Sequence, residues 1–111
     1  MTEPIWSPGP ARRQTANIRR FIDLVQSELH PGIRDYWDLY NYSLDQPELF
    51  WRAVWDFCAI VGSPGAVTLG HASASHPTDL LAARWFPGAQ LNFAENLLRF
   101  RDEQPAIIFR S

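Results

Sequence analysis

The chain has 111 residues, 46% of them hydrophobic, which suits one small domain with a core and excludes a disordered polypeptide. Its formal net charge of −2 is mixed along the chain, mildly basic over residues 12–34 and acidic over 35–79, and excludes an electrostatic case for nucleic acid. All ten basic residues are arginine, so lysine nucleophiles, Schiff bases and phosphate-gripping lysines are excluded, and the lone Cys58 excludes an intrachain disulfide.

Ser7 is placed to cap a first helix whose opening turn tolerates Pro8 and Pro10. Ile18, Phe21, Ile22, Val25 and Leu29 then recur at helical spacing until His30-Pro31-Gly32 ends it. Arg12, Arg13, Arg19 and Arg20 on that helix read as a solvated face, not as a grip on a nucleotide or a lipid head group. A second short helix is predicted over about residues 34–42, with Tyr36, Leu39 and Tyr40 on one side. For the third, Asp45 and Glu48 have capping-box spacing and Pro47 suits the first turn. Phe50, Trp51, Val54, Trp55, Cys58 and Val61 form its apolar stripe, closed by Gly62 and Pro64. Trp51 and Trp55 are expected to pack with Trp37 as a core, and Cys58 to be a buried, inert thiol.

Residues 63–77 are rich in Gly, Pro, Ser and His and read as an irregular crossing with Val67-Thr68-Leu69 as its candidate strand. Gly65 and Gly70 have the glycine spacing of a phosphate-binding loop. His71 and Ala72, however, stand where Lys and Ser or Thr are needed to grip phosphate and magnesium, so the segment reads as a plain turn. His71 and His76, with Ser73, Ser75 and Asp79 nearby, fit neither a metal pair nor a hydrolytic constellation, and there is no G-x-S-x-G elbow. No residue of the chain is therefore assigned a catalytic, cofactor-binding or metal-ligating role.

Thr78 or Asp79 can open one turn over residues 80–83, and an apolar bend follows. Pro87 should hold Phe86 extended and Gly88 should permit a reversal, splaying Trp85 and Phe86 into an apolar neighbour. That is docking geometry, not catalysis. Asn92 then caps a short helix with Glu95 at capping-box spacing, and Phe93, Ala94, Leu97 and Leu98 share one face. Finally, Ala106-Ile107-Ile108-Phe109 has the length and apolarity of a strand buried on both faces. Apart from residues 67–69 nothing here can pair with it, so the chain is expected to be the front of something longer.

The run Arg84-Trp85-Phe86-Pro87-Gly88-Ala89-Gln90-Leu91-Asn92-Phe93-Ala94-Glu95-Asn96-Leu97-Leu98 resembles the N-terminal signature of acetate-type acyl-CoA synthetases. Pro87-Gly88-Ala89 and Ala94-Glu95-Asn96-Leu97-Leu98 look most like acetoacetate–CoA ligases. The likeness extends to Trp6-Ser7-Pro8, Tyr36, Leu39, Ser43, Phe50-Trp51 and Val54-Trp55-Asp56-Phe57, leaving residues 63–83 weakly matched. The resemblance implies a mainly α fold, short helices joined by Pro/Gly loops with a terminal β-strand, that covers the large α/β domain of an adenylate-forming ligase. Residues 1–100 would be the helical N-terminal domain and 101–111 the truncated start of the large domain. ATP, Mg²⁺ and CoA belong to the full-length family and none is expected in this chain, whose partner is the missing catalytic domain and which is expected to be inactive alone. No nucleic-acid, membrane or metal partner is expected, and without a leader or long apolar run a cytoplasmic location is the default. The alternative reading is a free-standing helical protein-interaction module.

Overall fold

The computed structural model describes residues 5–71 and 81–110. The expected first helix is two: α1, Pro10–Thr15, and α2, Asn17–Glu28, broken at Ala16, whose backbone is extended. Pro10 takes the first helical position, where its missing N–H is no loss, and Gly9, not Ser7, occupies the cap. Of the predicted stripe on α2, Phe21, Ile22 and Val25 are buried, while Ile18 and Leu29 at its ends remain exposed. The stop after Glu28 is built by His30, whose Nδ1 accepts from the Gly32 N–H at 3.1 Å. A Cβ at position 32 would lie 2.8 Å from the His30 ring, so a larger residue there would displace that ring.

Helix α3, Tyr36–Asp45, starts at Asp35, whose carboxylate accepts from the N–H groups of Trp37 (2.8 Å) and Asp38 (3.0 Å). It runs three residues beyond its predicted end, so Asp45 closes α3 and cannot cap the next helix. Pro47 forces that break, because the residue before proline is pushed out of the helical region, as Gln46 is (φ −130°, ψ 59°). Helix α4, Pro47–Phe57, therefore begins with proline at its first position and without a side-chain cap.

Three helices meet in one core. It comprises Phe21, Ile22 and Val25 from α2, Ile33 from the turn, Leu39 and Tyr42 from α3, and Ala53 from α4. The Phe21 ring meets Phe50 edge-on (centroids 5.7 Å apart, planes at 80°) and Phe57 at 5.1 Å, the offset geometries aromatic quadrupoles favour. Residues 50, 54 and 57 recur at helical spacing on the side of α4 that faces this core, and all three are half-buried. Trp51 and Trp55 lie on its other side. Trp37 is not with them: it is 67% exposed and stacks with its helix neighbours Tyr36 and Tyr40, so the expected tryptophan core does not form. Cys58 is exposed as well, because α4 ends at Phe57 and Ala59 turns left-handed (φ 50°), ahead of the expected stop at Gly62.

Two short antiparallel ladders follow. Strands β1, Gly62–Ser63, and β4, Gln90–Leu91, pair through Gly62 with Leu91 and Ser63 with Gln90. Strands β2, Leu69–His71, and β3, Ala83–Trp85, pair through Leu69 with Trp85, Gly70 with Arg84 and His71 with Ala83. Helix α5, Phe93–Leu97, completes the order. The predicted strand over 106–109 is absent: those residues are irregular and exposed, because no described segment pairs with them. The fold class is thus mainly helical with few short strands. Its radius of gyration, 18.0 Å, exceeds the roughly 13 Å of a closed domain near this length.

Two outcomes test this packing. Replacing Phe21, 5% exposed, by alanine should lower unfolding stability by about 3–5 kcal/mol in urea titration, whereas Trp37→Ala should change it by less than about 0.5 kcal/mol. The second concerns Asp38, whose carboxylate accepts from Arg34 Nε (3.1 Å) and the Arg34 N–H (3.0 Å) and is thereby held below its ordinary 3.8. A depressed folded-state value stabilises the fold above the unfolded value, and that stability is lost as pH falls through the folded one. Stability should therefore drop on acidification below about pH 4, and Asp38→Asn should flatten that acid limb in unfolding curves recorded against pH.

Candidate docking surface

The apolar bend sits against the outer side of α4. Trp85 lies 5.7 Å from Trp51 and Phe86 lies 5.0 Å from Trp55, centroid to centroid, and Trp51, Trp85 and Phe86 frame a hollow of about 290 Å³. The two rings are splayed as their spacing suggested, but the backbone beneath them differs. Phe86 is left-handed (φ 47°) and not extended, and the positive φ falls on it, not on Gly88. Its N–H donates to the Thr68 carbonyl at 2.7 Å, and its own carbonyl accepts from the Ala89 N–H at 2.9 Å across the Pro87-Gly88 turn. A bulky residue in this region carries strain of about 1–3 kcal/mol, tolerated only where neighbours over-determine it. Here the two hydrogen bonds and the Trp55 ring do so.

Two glycines let the crossing approach the bend. A Cβ on Gly62 (φ 147°) would sit 2.6 Å from the Gln90 carbonyl oxygen, and one on Gly65 (φ 73°) 2.9 Å from the Gly88 carbonyl carbon. Gly65 is further held by Arg52, whose Nη1 donates to its carbonyl at 2.8 Å. Of the two glycines with phosphate-loop spacing, Gly65 thus serves backbone contact and Gly70 pairs with Arg84 in the second ladder.

A polar clasp then fixes α5. Asn92 caps it as expected, its Oδ1 accepting from the Glu95 N–H at 3.2 Å. Asn96 does more: its Oδ1 accepts from the Val61 N–H and its Nδ2 donates to the Val61 carbonyl, both at 2.8 Å, with a further bond to the Asn92 carbonyl at 3.0 Å. Arg99 Nη1 donates to the carbonyls of Cys58 (2.9 Å) and Ala59 (3.0 Å), where the open C-terminal end of α4 presents unsatisfied acceptors and favours a cation. With its polar side anchored, α5 turns its apolar side outward. Phe93 and Leu97, four residues apart, are 76% and 67% exposed, and Leu98 and Phe100 extend the same greasy strip.

Asn96 and Arg99 are the residues that composition and spacing missed. The available signal was an asparagine in the interior of a short helix, beside Glu95, where its competition with the backbone makes it a poor helix former unless it has a partner elsewhere. Of the other candidates, His71 lies in β2, Cys58 is exposed, and Ser73, Ser75, His76 and Asp79 lie outside the described residues. Among the described residues no group of three His, Cys, Asp or Glu could hold a metal, and no helix is long and apolar enough to cross a membrane.

The family model described as "Acetyl-coenzyme A synthetase N-terminus" matches residues 36–97, a span that includes the bend, both glycines and Asn96. The chain is 35% identical over 107 residues to an acetoacetyl-coenzyme A synthetase of Rhizobium meliloti (strain 1021), covering 96% of this chain and 16% of the relative. It is 32% identical over 108 residues to the acetoacetyl-CoA synthetase of Danio rerio, covering 95% and 15%. It is also 37% identical over 79 residues to a malonamoyl-CoA synthetase of Penicillium aethiopicum, covering 70% and 10%. The chain therefore spans about a sixth or less of the length of these relatives. No solved structure is significantly similar to it.

The clasp has its own test. Asn96→Ala removes both bonds to Val61 and should speed amide exchange at Val61 by an amount worth about 1–3 kcal/mol of local opening. Asn92→Ala, costing about 1 kcal/mol at the cap, should act at the Glu95 amide instead, and NMR exchange rates separate the two.

Proposed function

This chain belongs to the acetyl-coenzyme A synthetase N-terminus family, and from that premise we infer that it is the N-terminal covering segment of an ATP-dependent acyl-CoA synthetase acting on acetoacetate. Residues 1–100 form the helical cover and 101–111 lead into the large α/β adenylate-forming body. That enzyme joins acetoacetate to CoA with conversion of ATP to AMP and diphosphate, in the cytoplasm, through an acyl-adenylate. The reacting groups belong to the large body; this segment binds it and supplies no catalytic side chain.

One observation carries the reading: α5 is pinned by Asn96 so that Phe93, Leu97 and Leu98 face outward. A solvent-facing helix ordinarily does the reverse, and an outward apolar face, in a molecule that also leaves Trp51 and Trp85 part-exposed, has the composition of an interface core. The irregular, exposed Ile107, Ile108 and Phe109 suit a strand that pairs only when a sheet edge is supplied. The relatives' names suggest the substrate class. Acetoacetate and malonamate are both short acids with a carbonyl two carbons from the carboxylate, differing in the methyl or amino group that this carbonyl bears, and acetoacetate is favoured because the longer matches carry its name.

The chain alone should release no diphosphate from ATP and acetoacetate, and acetoacetate-dependent release by it would overturn the reading. Grafted in place of the N-terminal region of the Rhizobium meliloti relative, it should support that release, with malonamate a poorer substrate. In the graft, Trp85→Ala should cost about 3–5 kcal/mol of stability or docking, as large buried aromatics do. A loss below about 0.5 kcal/mol would remove Trp85 as an anchor.

A further inference from the structure

A second surface lies away from the bend, on residues that mostly precede the family-matched span. Between α1 and α2 runs an open groove of about 430 Å³ whose walls include Trp6, Ile18, Ile22 and Tyr36, with Arg12 and Arg13 also lining it. Over Ile18 and Tyr36 it meets a neighbouring apolar groove of about 340 Å³ that continues across α3 and α4. Helix α1 buries none of its residues, so it stands as one wall of the groove without closing it.

The electrostatics are one-sided here. Residues 10–34 carry five arginines against two carboxylates in a chain whose net charge is −2. Arg19 is engaged by Asp23 and the Arg34 carbonyl. Arg12 lies 5.9 Å over the Trp6 ring, and among the described residues neither Arg12 nor Arg13 has a carboxylate partner. Arg12, Arg13 and Arg20 are exposed, as expected of a solvated face, and Arg12 and Arg13 also border the apolar trough. An open trough also suits a polypeptide better than a small molecule, which needs a concavity enclosing about 70–90% of its surface.

We propose that this groove receives an acidic amphipathic helix of a partner protein. Apolar anchors spaced one helical turn apart rest on Ile18, Ile22 and Tyr36, and carboxylates face Arg12 and Arg13. The apolar floor supplies affinity, and the two guanidiniums supply orientation and discrimination against basic helices. This inference stands independently of the acyl-CoA synthetase reading.

The test uses the full chain and two designed peptides of about 18 residues, Leu/Glu and Leu/Lys, identical in apolar pattern. Calorimetry at low ionic strength should show binding of the Glu peptide, weakening with added salt, and at least about tenfold weaker binding of the Lys peptide. Arg12→Glu with Arg13→Glu should abolish that preference, while Arg12→Lys with Arg13→Lys should retain it, with far-ultraviolet dichroism unchanged in both. Equal affinity for the two peptides, no binding of either, or indifference to charge reversal would overturn the proposal. So would preferential binding to phosphatidylglycerol vesicles over the Glu peptide, which would assign the surface to a membrane.

Discussion

The candidate docking side of this molecule depends on two hydrogen bonds between the Asn96 carboxamide and the backbone of Val61. A carboxamide offers a donor and an acceptor side by side, as a peptide group does, so Asn96 substitutes for a missing strand neighbour at the point where the β1–β4 ladder begins. Without it, α5 would be free to rotate its apolar face inward, as amphipathic helices ordinarily do. With it, and with Arg99 on the two carbonyls just past α4, that orientation is held inverted. Holding an interface in its bound arrangement in advance lowers the ordering cost of association.

The molecule accordingly has two unequal parts. Helices α2, α3 and α4 share a closed core around the fully buried Val25, with side chains drawn from all three. The remainder is joined to α4 by ring contacts, backbone ladders and guanidinium–carbonyl bonds, with little burial of its own. An arrangement with so much peripheral apolar surface gains stability by covering that surface, which couples its folding to binding.

Features decided by neighbouring residues were legible from the amino-acid sequence. The Phe21-Ile22-Val25 face, Pro47 in the first turn of α4 and the Asn92 cap each involve residues within about one helical turn. Where two local signals competed, the order of the chain decided. Asp45 has capping chemistry but was consumed by α3, and Cys58 fell beyond the end of α4 because Ala59, not Gly62, took the left-handed turn. Of the docking side, Trp85 and Phe86 could be recognised, since Pro-Gly next to paired aromatics announces a bend. The clasp could not, because Asn96 and Arg99 find their partners 35 to 41 residues away. The same limit applies to the apolar run near residue 108, expected as a strand and found irregular, because strand formation depends on a neighbour as well as on its own residues.

The left-handed backbone at Phe86 has a further consequence. Glycine would relax the torsion yet surrender the ring that rests on Trp55, and proline cannot adopt the conformation at all. The residue thus trades torsional ease for aromatic contact, and that contact exists only while α4 is intact. Bend and fourth helix are therefore coupled: melting the helix strips away one of the three contacts that hold the chain reversal, and a peptide excised around residue 86, lacking α4 and Thr68 alike, should lose its shape.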